Sequence, residues 1–246
     1  MRLAQPLVLA LATLAAICGC APRDQQAAVP DLAGTWLPDA YSAEPWPSPL
    51  PLSAVARDAM AGFDPAEHDP THFCMPLGTP RNMLQTDYPL EVVQTPGRIL
   101  IVVQPNLANA EVRRIPLDAA LPDSPDPSWY GTSRGRWEGS TLVVETIGLR
   151  PDAPISGDGL THSAELRVVE RFSVTRDDAG RRVLIDEIEL HDPQAYQTPL
   201  KTRRRFVSAP RVIPREPACV ELQWIDKLWR DRLQEHAEAA RAGTSR

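Results

Sequence analysis

From Leu90 to Val207 the chain consists mostly of short runs that alternate apolar and polar residues, broken by turn residues. That pattern leaves few folds open. Successive side chains of a strand point to opposite faces, so a period of two marks a sheet with one buried face. Leu90–Gln94 and Arg98–Gln104 flank Thr95-Pro96-Gly97, and Glu111–Leu117 follows. Thr141–Ile147 comes after a Glu138-Gly139-Ser140 turn. Glu165–Thr175 and Arg182–Leu190 flank Asp177-Asp178-Ala179-Gly180, the clearest hairpin signal, and Lys201–Val207 completes the series. No helical stretch separates these runs, which argues against a parallel α/β sheet. The expected fold is mainly β: an antiparallel meander curled into a barrel or a strongly twisted sheet.

The flanks read differently. Leu32–Trp36 is a short first strand, and Ser53 caps a helix over Ala54–Gly62 that Asp64-Pro65 ends. Residues 64–89 form an irregular segment of a length that usually covers something or has a function. Near the C-terminus Leu222, Ile225, Trp229 and Leu233 recur at helical spacing among charged residues. Val220–Ala240 is therefore an amphipathic helix, expected to pack on the barrel wall.

The N-terminus carries Arg2, an apolar run from Leu7 to Ile17, and Cys18-Gly19-Cys20. A positive start, a short apolar stretch and small residues at the cut describe a signal peptide, and the run is about half of what spans a bilayer. Ile17-Cys18-Gly19-Cys20 resembles the lipobox of bacterial lipoproteins. The resemblance implies cleavage before Cys20, lipidation of that cysteine and, with Ala21 next, residence in the outer membrane facing the periplasm. Residues 1–19 are then a signal peptide, 20–31 a flexible tether, 32–221 the β domain, and 222–246 the helix and tail. Loss of Arg2 takes the formal charge from −6 to −7, and no basic stripe offers a nucleic-acid interface. Cys74 and Cys219 remain, and in an oxidising compartment two thiols are more often bridged than free. The alternative is two separate buried thiols.

Strand alternation singles out the polar residues. Leu166, Val168, Glu170, Phe172 and Val174 share a face, as do Leu184, Asp186, Ile188 and Leu190. A carboxylate on an apolar face needs a cation, hydrogen bonds or a raised pKa. Arg113, Arg114 and Arg204 are the expected partners. One reading is a polar cluster that orients a ligand inside the barrel; the other is a structural ion pair. His162, in a Gly/Pro-rich loop beside Ser163 and Glu165, has the chemistry of a general base, and His162 with Glu170 is the pair for acid–base work. Ser163 forms no triad with it, since adjacent side chains point apart and no G-x-S-x-G is present. His68, His72 and Cys74 are potential metal ligands, but Pro70 interrupts them and no fourth ligand is near, so no metal is expected. Trp36, Trp129, Tyr130 and Trp137 can line a cavity, although aromatics at strand ends more often fill a core. No cofactor motif is present.

Several motifs occur in order: Cys74-Met75-Pro76, Gly78, Pro80-Arg81, Glu91 to Gly97, Val112-Arg113-Arg114-Ile115, Gly135-Arg136-Trp137-Glu138-Gly139, Thr141 to Val144, Glu170-Arg171-Phe172 and Asp192-Pro193. Together they resemble a large family of uncharacterised exported bacterial proteins. The resemblance covers roughly residues 32–221, implies one domain and a Cys74–Cys219 pairing, and supplies no activity. Members usually carry Gly-His-Ser where this chain has Gly131-Thr132-Ser133. The early Gly34-Thr35-Trp36 adds a weak analogy to lipocalins.

The function expected is a membrane-anchored lipoprotein binding a small, largely apolar ligand in a barrel-like pocket. Arg81, Arg113, Arg114, Trp137, Asp186 and Arg204 are its binding candidates. The alternatives are a hydratase, isomerase or hydrolase using His162 and Glu170, and a structural envelope lipoprotein. The sequence leaves the oligomeric state open.

Overall fold

The computed structural model describes residues 29–84, 88–103, 110–213, 219 and 221–243. Nine strands among them form one sheet: β1 (Gly34–Pro38), β2 (Leu90–Thr95), β3 (Arg98–Val103), β4 (Glu111–Pro116), β5 (Thr132–Glu138), β6 (Thr141–Ile147), β7 (Arg167–Arg176), β8 (Arg182–His191) and β9 (Leu200–Ser208). Their order is β4-β3-β2-β1-β9-β8-β7-β6-β5, and every neighbouring pair is antiparallel. Consecutive strands are therefore neighbours all round except between β4 and β5, the two edges.

Those edges meet, which makes the sheet a nearly closed barrel. Alternating strand directions cannot close a ring of nine without one parallel junction. The contact between Leu117 and Gly135 is a parallel bridge, reinforced by the Asp118 amide donating to the Gly135 carbonyl at 2.8 Å. Gly135 permits the approach: a Cβ there would lie 2.9 Å from both Ile115 and Leu117. The expected meander is thus present, and closure removes most of the exposed strand edge.

The alternation read from the sequence holds. Val168, Glu170 and Phe172 on β7 and Leu184, Asp186, Ile188 and Leu190 on β8 are all buried. Trp36, Ile99, Ile115, Leu142 and Phe206 complete the filling from other strands. Val144, Val168, Glu170 and Asp186 expose no surface at all, so no water-sized space adjoins them. Around these residues the barrel is packed, not hollow.

Strand direction gives the barrel two ends. At the mouth, where β1, β3, β6 and β8 finish, lie the segment after Pro38, the loop after Ile147 and the turn after His191. α1 (Ala54–Ala61) begins at Ser53, whose Oγ accepts the Ala56 amide at 3.1 Å, matching the expected cap. α2 (Pro65–His68), a 3₁₀ turn (Pro70–Phe73) and α3 (Arg81–Leu84) follow. Leu52, Ala56 and Met83 join the same apolar cluster as the barrel interior, so this irregular segment is the lid of the core. α4 (Glu221–Gly243) is joined to it by the Cys74–Cys219 disulfide, Cα–Cα 5.7 Å, and by ion pairs from Arg232 to Asp64 and Glu67. The helix packs against the 3₁₀ turn of the lid, where the sequence predicted the barrel wall.

Candidate functional site

The interior polar cluster is a bidentate ion pair. Arg113 Nη1 and Nη2 donate to Glu170 Oε1 and Oε2 at 2.8 and 2.5 Å, with both side chains essentially without exposure. Burial penalises the guanidinium's charge. Attraction to Glu170, with Asp186 and Glu111 behind it, more than offsets that penalty and raises the Arg113 pKa. Asp186 lies opposite Arg204 and Phe172 in the register, yet neither of its oxygens has a hydrogen-bond partner. Burial and the negative charge of Glu170 raise its carboxyl well above the usual range, against the pull of Arg113 and Arg204. A neutral acid filling space is the consistent state.

The expected cation set is corrected in part. Arg113 is the partner of Glu170. Arg114 points outward and is exposed, as the alternation of β4 requires. Arg204 turns towards the mouth, donating to the Glu44 carbonyl at 2.8 Å and Thr202 Oγ1 at 2.6 Å, without bonding Asp186. Trp137 is half-buried against the core. Arg81 is buried in the lid and donates twice to Asp69, at 2.9 and 2.7 Å. Among the described residues, none of the six binding candidates lines any of the three grooves described below.

His162 and Glu170 each take other hydrogen-bond partners. Its ring nitrogens face the carbonyls of Ser163 at 2.8 Å and Ala153 at 3.0 Å. The ring can donate to one carbonyl when neutral and to both when doubly protonated. No hydrogen bond or ion pair joins it to Glu170 among the described residues. Its work is local: it ties the loop from Pro151 to Thr161 to the start of β7. Asp192 supports the same corner, accepting from the Ser163 amide at 2.6 Å and hydroxyl at 2.9 Å.

That loop forms one wall of a groove of about 410 Å³ at the mouth, facing Ala59, Gly62, Phe63 and His68. Pro151, Asp152, Pro154, Gly159 and Thr161 complete it. Gly159 sits directly beneath Phe63; with φ +83° and a would-be Cβ 2.3 Å from the ring, it leaves the aromatic no room to drop. His68 Nδ1 accepts the Asp64 amide at 2.8 Å, which puts the ring proton on Nε2. The groove thus combines apolar walls with a tautomer-fixed donor, and His68 enters it in a role the sequence did not suggest. Two further grooves lie on the outer wall of β7–β9 and between α4 and the lid.

Glu111 was also missed. It is 1% exposed at the start of β4 and accepts the Leu77 amide at 2.5 Å and Asn82 Nδ2 at 3.2 Å, with the Gly78 amide turned to it as well. Burial pushes its carboxyl up to about 7, against those hydrogen bonds and the charge of Arg81. The signal was present in the sequence: Glu111 shares a strand face with Arg113 and Ile115.

Comparison with protein-family models, curated proteins and solved structures finds no match to this chain.

Proposed function

We propose that this chain is a lipid-anchored protein of the bacterial envelope, held through acylated Cys20 in the outer membrane and facing the periplasm. In this reading it carries a small, largely apolar molecule in the groove at the barrel mouth. The anchor rests on the lipobox-like residues and the positive, apolar N-terminus, which lie outside the described residues. The binding role rests on one observation: Phe63, Pro151 and Pro154 form apolar walls around the fixed Nε2 donor of His68. Pockets of this composition hold apolar bodies and orient them through few polar contacts. In this reading the pocket expected in the interior lies instead at the mouth, a choice supported by the packing around Val144, Val168 and Glu170.

Protein extracted from its membrane in mild detergent tests both parts. The peptide starting at Cys20 carries the mass of its acyl chains, and an apolar compound copurifies with the wild type but not with Phe63→Asp. A compound retained by Phe63→Asp refutes the groove. If nothing copurifies, the filled barrel favours the alternative of a structural envelope lipoprotein.

A further inference from the structure

The end of the barrel opposite the mouth is where the tether meets the domain. Gln94 fixes that point, accepting the Leu32 amide at 2.8 Å and donating to the Pro30 carbonyl at 3.1 Å. On the other side Arg182 lies over Trp36 at 5.0 Å and bonds the carbonyls of Asp31 and Ala33. The chain therefore enters between the tip of the β2–β3 hairpin and the tip of the β7–β8 hairpin. The turn after β9 is adjacent, its Ala209 amide donating to the Thr35 carbonyl at 2.8 Å.

Each of these three tips presents an arginine: Arg98, Arg176 and Arg211. All three are exposed, and none has a carboxylate partner among the described residues. Arg176 is held extended along its hairpin by a 2.7 Å bond to the Gly180 carbonyl. Ile213, 85% exposed, stands two residues after Arg211, and Val29 is 48% exposed at the start of the domain. The charges opposing them at this end are modest. Asp177 is taken by Arg181, Asp31 lies 3.8 Å from Arg182, and Glu138 is shared by Arg136 and Arg171. Asp118 and Asp178 are left unpaired. On a chain whose formal charge is −6, exposed arginines without carboxylate partners, spaced around one end of the barrel on β3, β7 and the turn after β9, are not explained by solubility.

We infer that Arg98, Arg176 and Arg211 form a basic collar around the tether's exit that seats this end of the barrel on an anionic phospholipid surface, with Ile213 dipping among the headgroups. The inference rests on the anchor reading above for its orientation, since the tether and the collar then meet the same leaflet. It leaves the mouth groove facing the periplasm. Arginine suits the task because its planar fork pairs with phosphate oxygens and is weakly hydrated.

The test uses the full mature protein on vesicles of phosphatidylglycerol and phosphatidylcholine, beside vesicles of phosphatidylcholine alone. Amide hydrogen exchange is expected to slow at residues 95–98, 176–182 and 209–213 on the anionic vesicles only. Raised salt and the triple variant Arg98→Ser, Arg176→Ser, Arg211→Ser are expected to abolish the slowing. Equal exchange on both vesicles overturns the collar. The mass of the Cys20 peptide reports on the anchor separately. Should it carry no lipid, the anchor reading fails while cosedimentation still decides the collar. Binding to anionic vesicles that drops on the order of a hundredfold in the triple variant, roughly fivefold per arginine, upholds it. Unchanged or absent binding overturns it.

Discussion

Replacing Glu111 by Gln isolates the buried carboxyl at the start of β4 that holds the lid through Leu77 and Asn82. The carboxyl is 1% exposed, and burial lifts it from 4.5 to about 7. Each pKa unit corresponds to about 1.4 kcal/mol of preference for the neutral form in the folded state. The raised value means that the native protein binds a proton the unfolded chain has already released between those limits. The contribution is thus fully present below about pH 4.5 and fades as pH climbs through about 7, a swing on the order of 3 kcal/mol. Glu111→Gln stays neutral and keeps a carbonyl oxygen for the Leu77 amide, so it should lose that swing. Denaturant unfolding with the disulfide intact, at pH 5, 6, 7 and 8, measures it. The wild type should lose stability relative to the variant as pH rises, most of the change lying between pH 5 and 7.5. Parallel pH profiles for the two proteins would refute the reasoning, because the burial of an ionised Glu111 would then cost nothing.

Three other perturbations probe the rest of the structure. Arg113→Met leaves Glu170 buried without a partner and should cost about 3–5 kcal/mol, whereas Arg113→Met with Glu170→Leu should be near neutral; a double variant no more stable than the single would contradict the ion-pair account. Opening Cys74–Cys219 frees a loop of 145 residues and should lower stability by about 4–5 kcal/mol in the chain-entropy model, read as a shift in urea midpoint; identical midpoints for oxidised and reduced protein would argue against it. Gly159→Ala forces a Cβ into the Phe63 ring at a left-handed backbone position, for a loss of about 1–3 kcal/mol and a weakened mouth groove; unchanged melting would show that the wall yields freely.

What the sequence made legible is what period two controls. Thr141–Ile147 is β6 to the residue, and the burial of Glu170 and Asp186 follows from alternation alone. The same logic applied to Glu111, Arg113 and Ile115 would have exposed Glu111. Closure of the barrel was not legible in detail. It depends on the side-chain space that Gly135 leaves between β4 and β5, and nothing local in the sequence marks two edges as partners. The site failed for a related reason. His162 sits beside a strand end as expected, but the carbonyls it meets belong to residues 153 and 163, and loop conformation decides that pairing. His68 drew attention through its spacing to His72 and Cys74, whereas its position is set by capping Asp64 and packing on Phe63. Irregular segments hide such roles because no periodicity fixes which way their side chains face.

The claim on which the functional account depends is that small molecules meet this protein at its mouth and not along its axis. Amide chemical shifts recorded while the copurified compound is titrated into the delipidated protein address it directly. The account predicts shifts concentrated at Gly62, Gly159 and Thr161, with Val144, Glu170 and Ile188 unmoved. Shifts centred on those three interior strand residues would mean that the packed barrel opens to admit a ligand, and the mouth groove would lose its role.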